Sequence, residues 1–259
     1  MVGGGALLEE RVVWVTGAGS GIGRATALAF ARAGGRVALT GRRAEALEET
    51  AARIREHGGE ALIVPADLIR PGAIGEAHRE IVKVWGDPDV LVNNAGLNIT
   101  RRHWHELTPA DAARVVALLL NAPFELSLAV LPAMRRRGGG TLIHIASLAG
   151  IRLYPVSGPS YTAAKTGMVA MSDSLNAEEG IHGIRSICIC PGEAETPILD
   201  SRPKPPSSEA RALMLQPDDV AAAALFCATL PPRACVSRLV LQPTDESSAR
   251  AEARAIESR

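Results

Sequence analysis

Residues 12–23, Val12-Val13-Trp14-Val15-Thr16-Gly17-Ala18-Gly19-Ser20-Gly21-Ile22-Gly23, run a short apolar segment straight into a glycine-rich turn, and residues 24–33 beyond it read as helix. Glycines at 17, 21 and 23 remove side chains where a tight strand-to-helix turn must let backbone N–H groups approach a pyrophosphate at a helix N-terminus. A nucleotide site this early frames the rest of the chain. Short apolar runs at 11–16, 36–40, 61–65, 90–92, 141–146, 184–189 and 237–241 alternate with longer amphipathic segments, the pattern of a parallel sheet covered by helices. The 259 residues contain no Gly/Ser/Pro linker in the middle, so the expectation is one α/β domain, residues 1–259. Its sheet is seven-stranded, parallel and doubly wound with helices on both faces. Residues 1–10 and 243–259 read as flexible tails.

Twenty-eight basic residues balance 28 acidic ones, which gives no basic face for nucleic acid or an anionic membrane. No run of about 18 apolar residues occurs, and residues 1–10 lack a basic and apolar leader pattern, so the expected location is cytoplasmic. Cys188, Cys190, Cys227 and Cys235 form no C-x-x-C pair, and the first two read as small buried hydrophobes in a strand. His103 and His105, two apart in a loop without nearby Cys or Asp, make a poor metal set, and no metal is expected.

A second stretch carries chemistry. In Ser160-Tyr161-Thr162-Ala163-Ala164-Lys165 the i, i+4 spacing of a helix puts the Tyr161 hydroxyl and the Lys165 ammonium on one face. A free tyrosine titrates near pH 10, and an ammonium roughly 4 Å away at an effective dielectric of about 20 favours the phenolate by about 4 kcal/mol, or roughly 3 pK units at most. The pair on its own also fits an ordinary solvated helix.

Other strings place it. Thr16–Gly23 departs from G-x-G-x-x-G but fits T-G-x-x-x-G-x-G, and Asn93-Asn94-Ala95-Gly96 closes the fourth strand. Ser147 stands fourteen residues before Tyr161, and Pro191-Gly192 precedes Thr196. Together these strings resemble the classical short-chain dehydrogenase/reductase family across nearly the whole chain. The resemblance implies a Rossmann-type fold and hydride transfer between a nicotinamide and a carbinol or carbonyl carbon, with Asn121, Ser147, Tyr161 and Lys165 as the catalytic set. Tyr161 would exchange the proton, Ser147 would bond the substrate oxygen, and Lys165 would hold Tyr161 acidic and bind the nicotinamide ribose. Asn121 would hold a water linked to the lysine.

For the cofactor, the resemblance implicates Gly17, Gly19, Ser20, Gly21, Ile22 and Gly23 at the turn, Asp67 and Leu68 toward the adenine, Asn94, Ala95 and Gly96, Tyr161 and Lys165, and Pro191, Gly192 and Thr196 at the carboxamide. After the second strand, Gly41 stands where an acidic residue would meet the adenosine ribose, and Arg42 and Arg43 come directly after it. A guanidinium binds the extra phosphate of NADP where a carboxylate would repel it, so NADP is the expected cofactor, with NAD as the alternative.

Residues 199–215, stiffened by Pro203, Pro205 and Pro206, read as a short lid over a compact pocket for a small molecule. In residues 97–107, Arg101 and Arg102 read first as an exposed basic loop and second as a receptor for a substrate carboxylate. Glu193 and Glu195 face either the pocket or solvent. Residues 111–134 read as a helix interrupted at Asn121-Ala122-Pro123, and His144 as packed within its strand. Residues 215–232 resemble the serine or 3-hydroxy-acid dehydrogenase branch, which implies a small β-hydroxy acid. The family resemblance also implies a homo-oligomer, tetramer or dimer. A non-catalytic NADP-binding sensor on the same fold is the reading from another class. An epimerase or dehydratase is a third, disfavoured by the short chain.

Overall fold

The structure, a computed structural model, describes residues 7–244. The tails expected at 1–10 and 243–259 lie outside the described residues over 1–6 and 245–259. Seven parallel strands, β1 (Val12–Thr16), β2 (Arg36–Gly41), β3 (Ala61–Pro65), β4 (Val90–Asn93), β5 (Gly140–Ile145), β6 (Ile184–Pro191) and β7 (Arg238–Leu241), form one sheet in the order β3-β2-β1-β4-β5-β6-β7. The expected Rossmann-type doubly wound domain is therefore observed. The chain reverses direction of winding between β1 and β4, the point where such sheets leave a crevice beyond the strands' carboxyl ends.

Every residue of β1 is buried, as a central strand covered on both faces requires. Its side chains alternate between two cores. Val13 and Val15 join Phe30 of α1 (Gly21–Arg32), Leu47 and Ile54 of α2 (Ala44–Glu56) and Val220 of α8 (Pro217–Thr229). Val12 and Trp14 join Ile74 and Ile81 of α3 (Ala73–Trp85) and Leu126 and Met134 of α5 (Ala122–Arg137).

The stretch read as an interrupted helix is continuous. Between α4 (Pro109–Val116) and α5 the backbone widens into a π-turn, Ala117–Asn121. Pro123 has no N–H to give residue 119 four positions back, and the wider turn absorbs that mismatch without breaking the helix. By length and apolar composition Pro109–Arg137 could cross a membrane, yet about half of its most apolar window is buried inside the fold.

Candidate active site

Two cavities open side by side along the carboxyl edge of the sheet and share Gly17, Ser20 and Gly96. The inner one, about 580 Å³, is lined by Ser147, Tyr161, Lys165, Arg102, Glu193 and Arg202 among others. The outer one, about 490 Å³, is lined by Gly19, Gly41, Arg42, Arg43, Asp67, Leu68 and Ala95.

The glycine turn between them divides into two jobs. Gly17 has φ of +65°, and a Cβ there would stand 2.8 Å from Asn94 Nδ2 and 2.9 Å from Ala95 Cα. A Cβ on Gly23 would lie 2.2 Å from the Gly17 carbonyl oxygen. Gly23 is buried and lines neither cavity, so its expected role as a cofactor contact is corrected: it is a close-packing glycine beneath the turn. Gly19, Ser20, Gly21 and Ile22 do border the cavities. Ser20 is the N-cap of α1 without a side-chain capping bond, and the first turn carries no acidic residue. The N–H groups of that turn are left for a ligand, and the helix dipole favours an anionic one.

Asn94 is a strut as much as a cavity wall. Its Nδ2 donates to the Thr16 carbonyl at 2.9 Å, while its backbone N–H and that of Ala95 donate to Thr16 Oγ1 at 3.0 and 3.1 Å. These bonds stitch the ends of β1 and β4 together where the sheet's winding reverses. From the other side, Pro191, Gly192 and Thr196 carry the loop after β6 over the turn, and a Cβ on Gly21 would come within 3.1 Å of Thr196 Cγ2. In the outer cavity Asp67 is exposed, with Oδ1 accepting from Ile69 N at 3.2 Å. Arg42 and Arg43 are also exposed, Arg43 as the N-cap residue of α2.

In the inner cavity β5 delivers Ser147, whose Oγ accepts from Ala149 N at 3.1 Å. Helix α6 (Pro159–Glu179) presents Tyr161 and Lys165 one turn apart. Tyr161 shares a side-chain hydrogen bond with Ser147. Burial raises the Tyr161 pKa above its ordinary value, against the lowering influence of that bond and of the Arg102 and Arg202 cations. Lys165 is buried, donates from Nζ to the Ile145 carbonyl at 2.6 Å and lies 5.8 Å from the Tyr161 ring centroid. Burial lowers its own pKa to about 8. Burial is the largest influence on the phenol, and the cations that counter it are those two arginines.

The placement of Asn121 in the catalytic set is also corrected. Asn121 is exposed and lines neither cavity. The residues near the π-turn that pack with Tyr161 and Ala164 are Val116, Leu119 and Leu120. Each residue rotates an α-helix by about 100°, so the register through the π-turn decides which side chain looks inward, and here it is leucine.

Arg102 reverses the exposed-loop reading. It is 2 % exposed, with Nε donating to Ile99 O and the terminal nitrogens to Val156 O and to Ser201 O and Oγ. Arg101 alone of the two is exposed. Glu193 and Glu195 do not point idly to solvent: Glu193 pairs with Arg202 at 2.9 Å and Glu195 with Arg211 at 3.1 Å, and Arg211 also bonds Asp200. These pairs, with the mutual backbone bonds of Leu215 to Glu193 and Glu195, fasten residues 197–215, which include the short helix α7 (Ser208–Ala212), over the cavity mouth. Sequence spacing gave no signal for any of them, because each joins segments brought together by the fold.

His144 is wholly buried, as its strand position suggested, and lies within 3.1 Å of Asn93 Nδ2 on one side and of Ser186 Oγ on the other. Burial lowers its pKa to about 3.

Residues 11–206 match the sequence profile of the short chain dehydrogenase family. An uncharacterized oxidoreductase of Thermotoga maritima is 32% identical over 196 residues, 76% of this chain and 76% of that one. Cis-4-hydroxycyclohexanecarboxylate dehydrogenase of Sinomonas cyclohexanicum is 32% identical over 234 residues, covering 87% of this chain and 92% of its own. A metagenomic short-chain oxidoreductase solved in complex with NADP superposes with a TM-score of 0.81 at 32% identity, over 93% of this chain and 100% of that one. The chain belongs to the short chain dehydrogenase family.

Proposed function

We propose that this short chain dehydrogenase is an NADP-preferring oxidoreductase that interconverts a small alcohol and its carbonyl compound, with Tyr161 as general acid and base. One observation carries the reading: Ser147, Tyr161 and Lys165 converge on a single wall of a cavity that is continuous with the uncapped N-terminus of α1. The fit to a dinucleotide rests on that uncapped turn and on the space left by Gly17 and Gly21, where a side chain would collide with its neighbours. Gly19, Ser20, Gly21 and Ile22 would hold the pyrophosphate, Asp67 and Leu68 would flank the adenine, and Asn94, Ala95, Gly96, Pro191, Gly192 and Thr196 would border the nicotinamide half. Arg42 and Arg43, with no acidic residue at Gly41, favour NADP over NAD. When bound, the nicotinamide supplies or accepts the hydride.

The protein's own part is proton transfer and alignment. Ser147 Oγ, already bonded to Tyr161, holds the substrate oxygen within reach of the phenol. Burial keeps Tyr161 in its phenol form, the form that donates a proton to a carbonyl oxygen. Lys165, its pKa lowered to about 8, is poised to exchange a proton in the working pH range and to bond the ribose. The substrate is a small 3-hydroxy acid or ketone, in keeping with the hydroxycarboxylate named for the Sinomonas relative. The segment 199–215 acts as its lid, and exposed Phe124 and Leu128 on α5 and Phe226 on α8 support assembly into a dimer or tetramer. A cytoplasmic location goes with this reading.

The test is consumption of NADPH against NADH on small ketones, aldehydes and β-keto acids, alongside Tyr161→Phe. The expected outcome is NADPH-linked turnover that falls by roughly 10²- to 10⁴-fold in the variant, the range general acid–base catalysis supplies. Turnover that survives in Tyr161→Phe overturns the role given to the tyrosine, and NADPH binding without turnover on the whole panel favours a sensor.

A further inference from the structure

The inner cavity holds a guanidinium to which no carboxylate is bonded among the described residues. Three cationic heads line it: Lys165, Arg202 and Arg102. Arg202 is paired with Glu193, and Lys165, its pKa lowered to about 8 by burial, can release its proton. Arg102 has neither recourse. A guanidinium stays protonated throughout the working range, so it cannot escape burial by neutralising itself. Among the described residues every acceptor bonded to its guanidinium is a neutral oxygen, from Ile99, Val156 and Ser201. The nearby Glu106 carboxylate bonds instead to the backbone N–H groups of Arg102 and His103. The Glu106 charge acts on the guanidinium without bonding it; a buried cation with no bonded counter-charge is costly, and a cavity is where a ligand can provide one.

Position indicates which ligand. Arg102 packs against the segment leading into α6, for a Cβ on Gly158, three residues before Tyr161, would stand 2.7 Å from its carbonyl oxygen and 2.9 Å from its Cβ. It sits at the Tyr161 end of the cavity, apart from the α1 N-terminus that suits a pyrophosphate. Val156 and Ser201, which fix its head, line the same cavity.

We propose that Arg102 is the receptor for an anionic group on the substrate, so that this enzyme selects small oxo or hydroxy compounds bearing a carboxylate close to the reacting carbon. The proposal rests on the dehydrogenase reading and narrows it. Arg102 orients the acid, Ser147 and Tyr161 receive its oxygen, and a neutral analogue of the same shape leaves the guanidinium uncompensated.

Acetoacetate and pentane-2,4-dione differ by a carboxylate in place of an acetyl group. Each is titrated calorimetrically into the whole protein saturated with NADP⁺, where no hydride is available and binding alone is read. The expected result is at least tenfold tighter binding of acetoacetate, as a charge-assisted hydrogen bond supplies. That preference, read as the ratio of the two affinities within each variant, should vanish in Arg102→Met and partly return in Arg102→Lys. Equal or weaker binding of acetoacetate by the unaltered protein overturns the proposal, and this comparison needs no variant to fold. Tyr161-dependent reduction of neutral ketones without carboxylate preference would sink Arg102 and leave the dehydrogenase reading standing. Absence of NADP⁺ binding in the same calorimeter would sink both.

Discussion

Arginine pairs stand at both ends of the cleft, and their surroundings are opposite. Arg42 and Arg43 are exposed at the start of α2, whereas Arg102 is buried and braced on three segments and Arg202 is ion-paired across the cavity mouth. In the proposed reading the outer pair adds affinity for an arriving anion. The inner pair sits in a field little screened by water and acts on Tyr161. One residue type thus serves weak, adjustable recognition at one end and fixed electrostatics at the other, and burial makes the difference.

The largest effect should come from what the inner end stands on. Behind Lys165 a polar ladder runs through the sheet, from Asn93 to His144 to Ser186 and on to Ser172 of α6, whose Oγ is 2.8 Å from that of Ser186. The outer cavity rests on a shorter polar set, in which Arg24 Nε donates to Thr50 Oγ1 and the Thr50 hydroxyl to the Ala18 carbonyl. His144 has its pKa lowered to about 3 in the folded chain, below the roughly 6.5 of an unfolded one. As pH falls the unfolded chain takes the proton first, so the contribution is intact above pH 6.5 and is lost as pH drops toward 3. Two units below 6.5, near pH 4.5, the loss is about 3 kcal/mol. Denaturant titrations of the parent and His144→Gln at pH 7 and pH 4.5 should show the parent losing about that much more. Parallel losses would mean that the inner end is no more firmly founded than the outer.

The next effect belongs to the outer pair. Replacing Arg42 and Arg43 together with alanine removes one or two charge-assisted bonds to a 2′-phosphate, each about 1.5–3 kcal/mol, and should raise the KM for NADPH by roughly 10- to 100-fold. The KM for NADH and the thermal midpoint should stay where they were, because both side chains are exposed. Equal losses with both cofactors would assign these arginines to the adenosine generally and erase the contrast with Arg102, whose removal is read on the substrate.

Legibility in the sequence divides along the same line. The seven strands, the glycine turn and the outer arginines were readable because each is a local pattern: an apolar run, a turn, a charge at a fixed distance beyond a strand. Ser147, Tyr161 and Lys165 were readable as a family string, although the electrostatics around them was not. The burial of Arg102, the clamps on Glu193 and Glu195 and the desolvation of Tyr161 depend on residues 97–107, 154–158 and 193–202 meeting over one cavity, and no spacing along the chain encodes that meeting. Gly23 shows a subtler miss. Its position in the motif was plain, but whether it faces a ligand or a neighbouring backbone is decided 2.2 Å away by the Gly17 carbonyl.

The smallest effect is expected at Asn121, and it bears on the contrast most directly. If the inner end is built from groups that are buried and fixed, an exposed amide beyond the π-turn has no part in it, whatever the resemblance assigns. Asn121→Ala should leave kcat, both KM values and the pH profile within about twofold of the parent, and stability within about 0.5 kcal/mol, as for a surface change. A water held by Asn121 and linked to Lys165 would give another result: kcat would fall and its pH dependence would move, since the lysine would lose a proton route. Between Tyr161 and the π-turn the structure offers Leu119 and Leu120 instead. Those leucines put apolar surface where an amide would hold a water, so the proposed role of Lys165 takes no proton route through this helix.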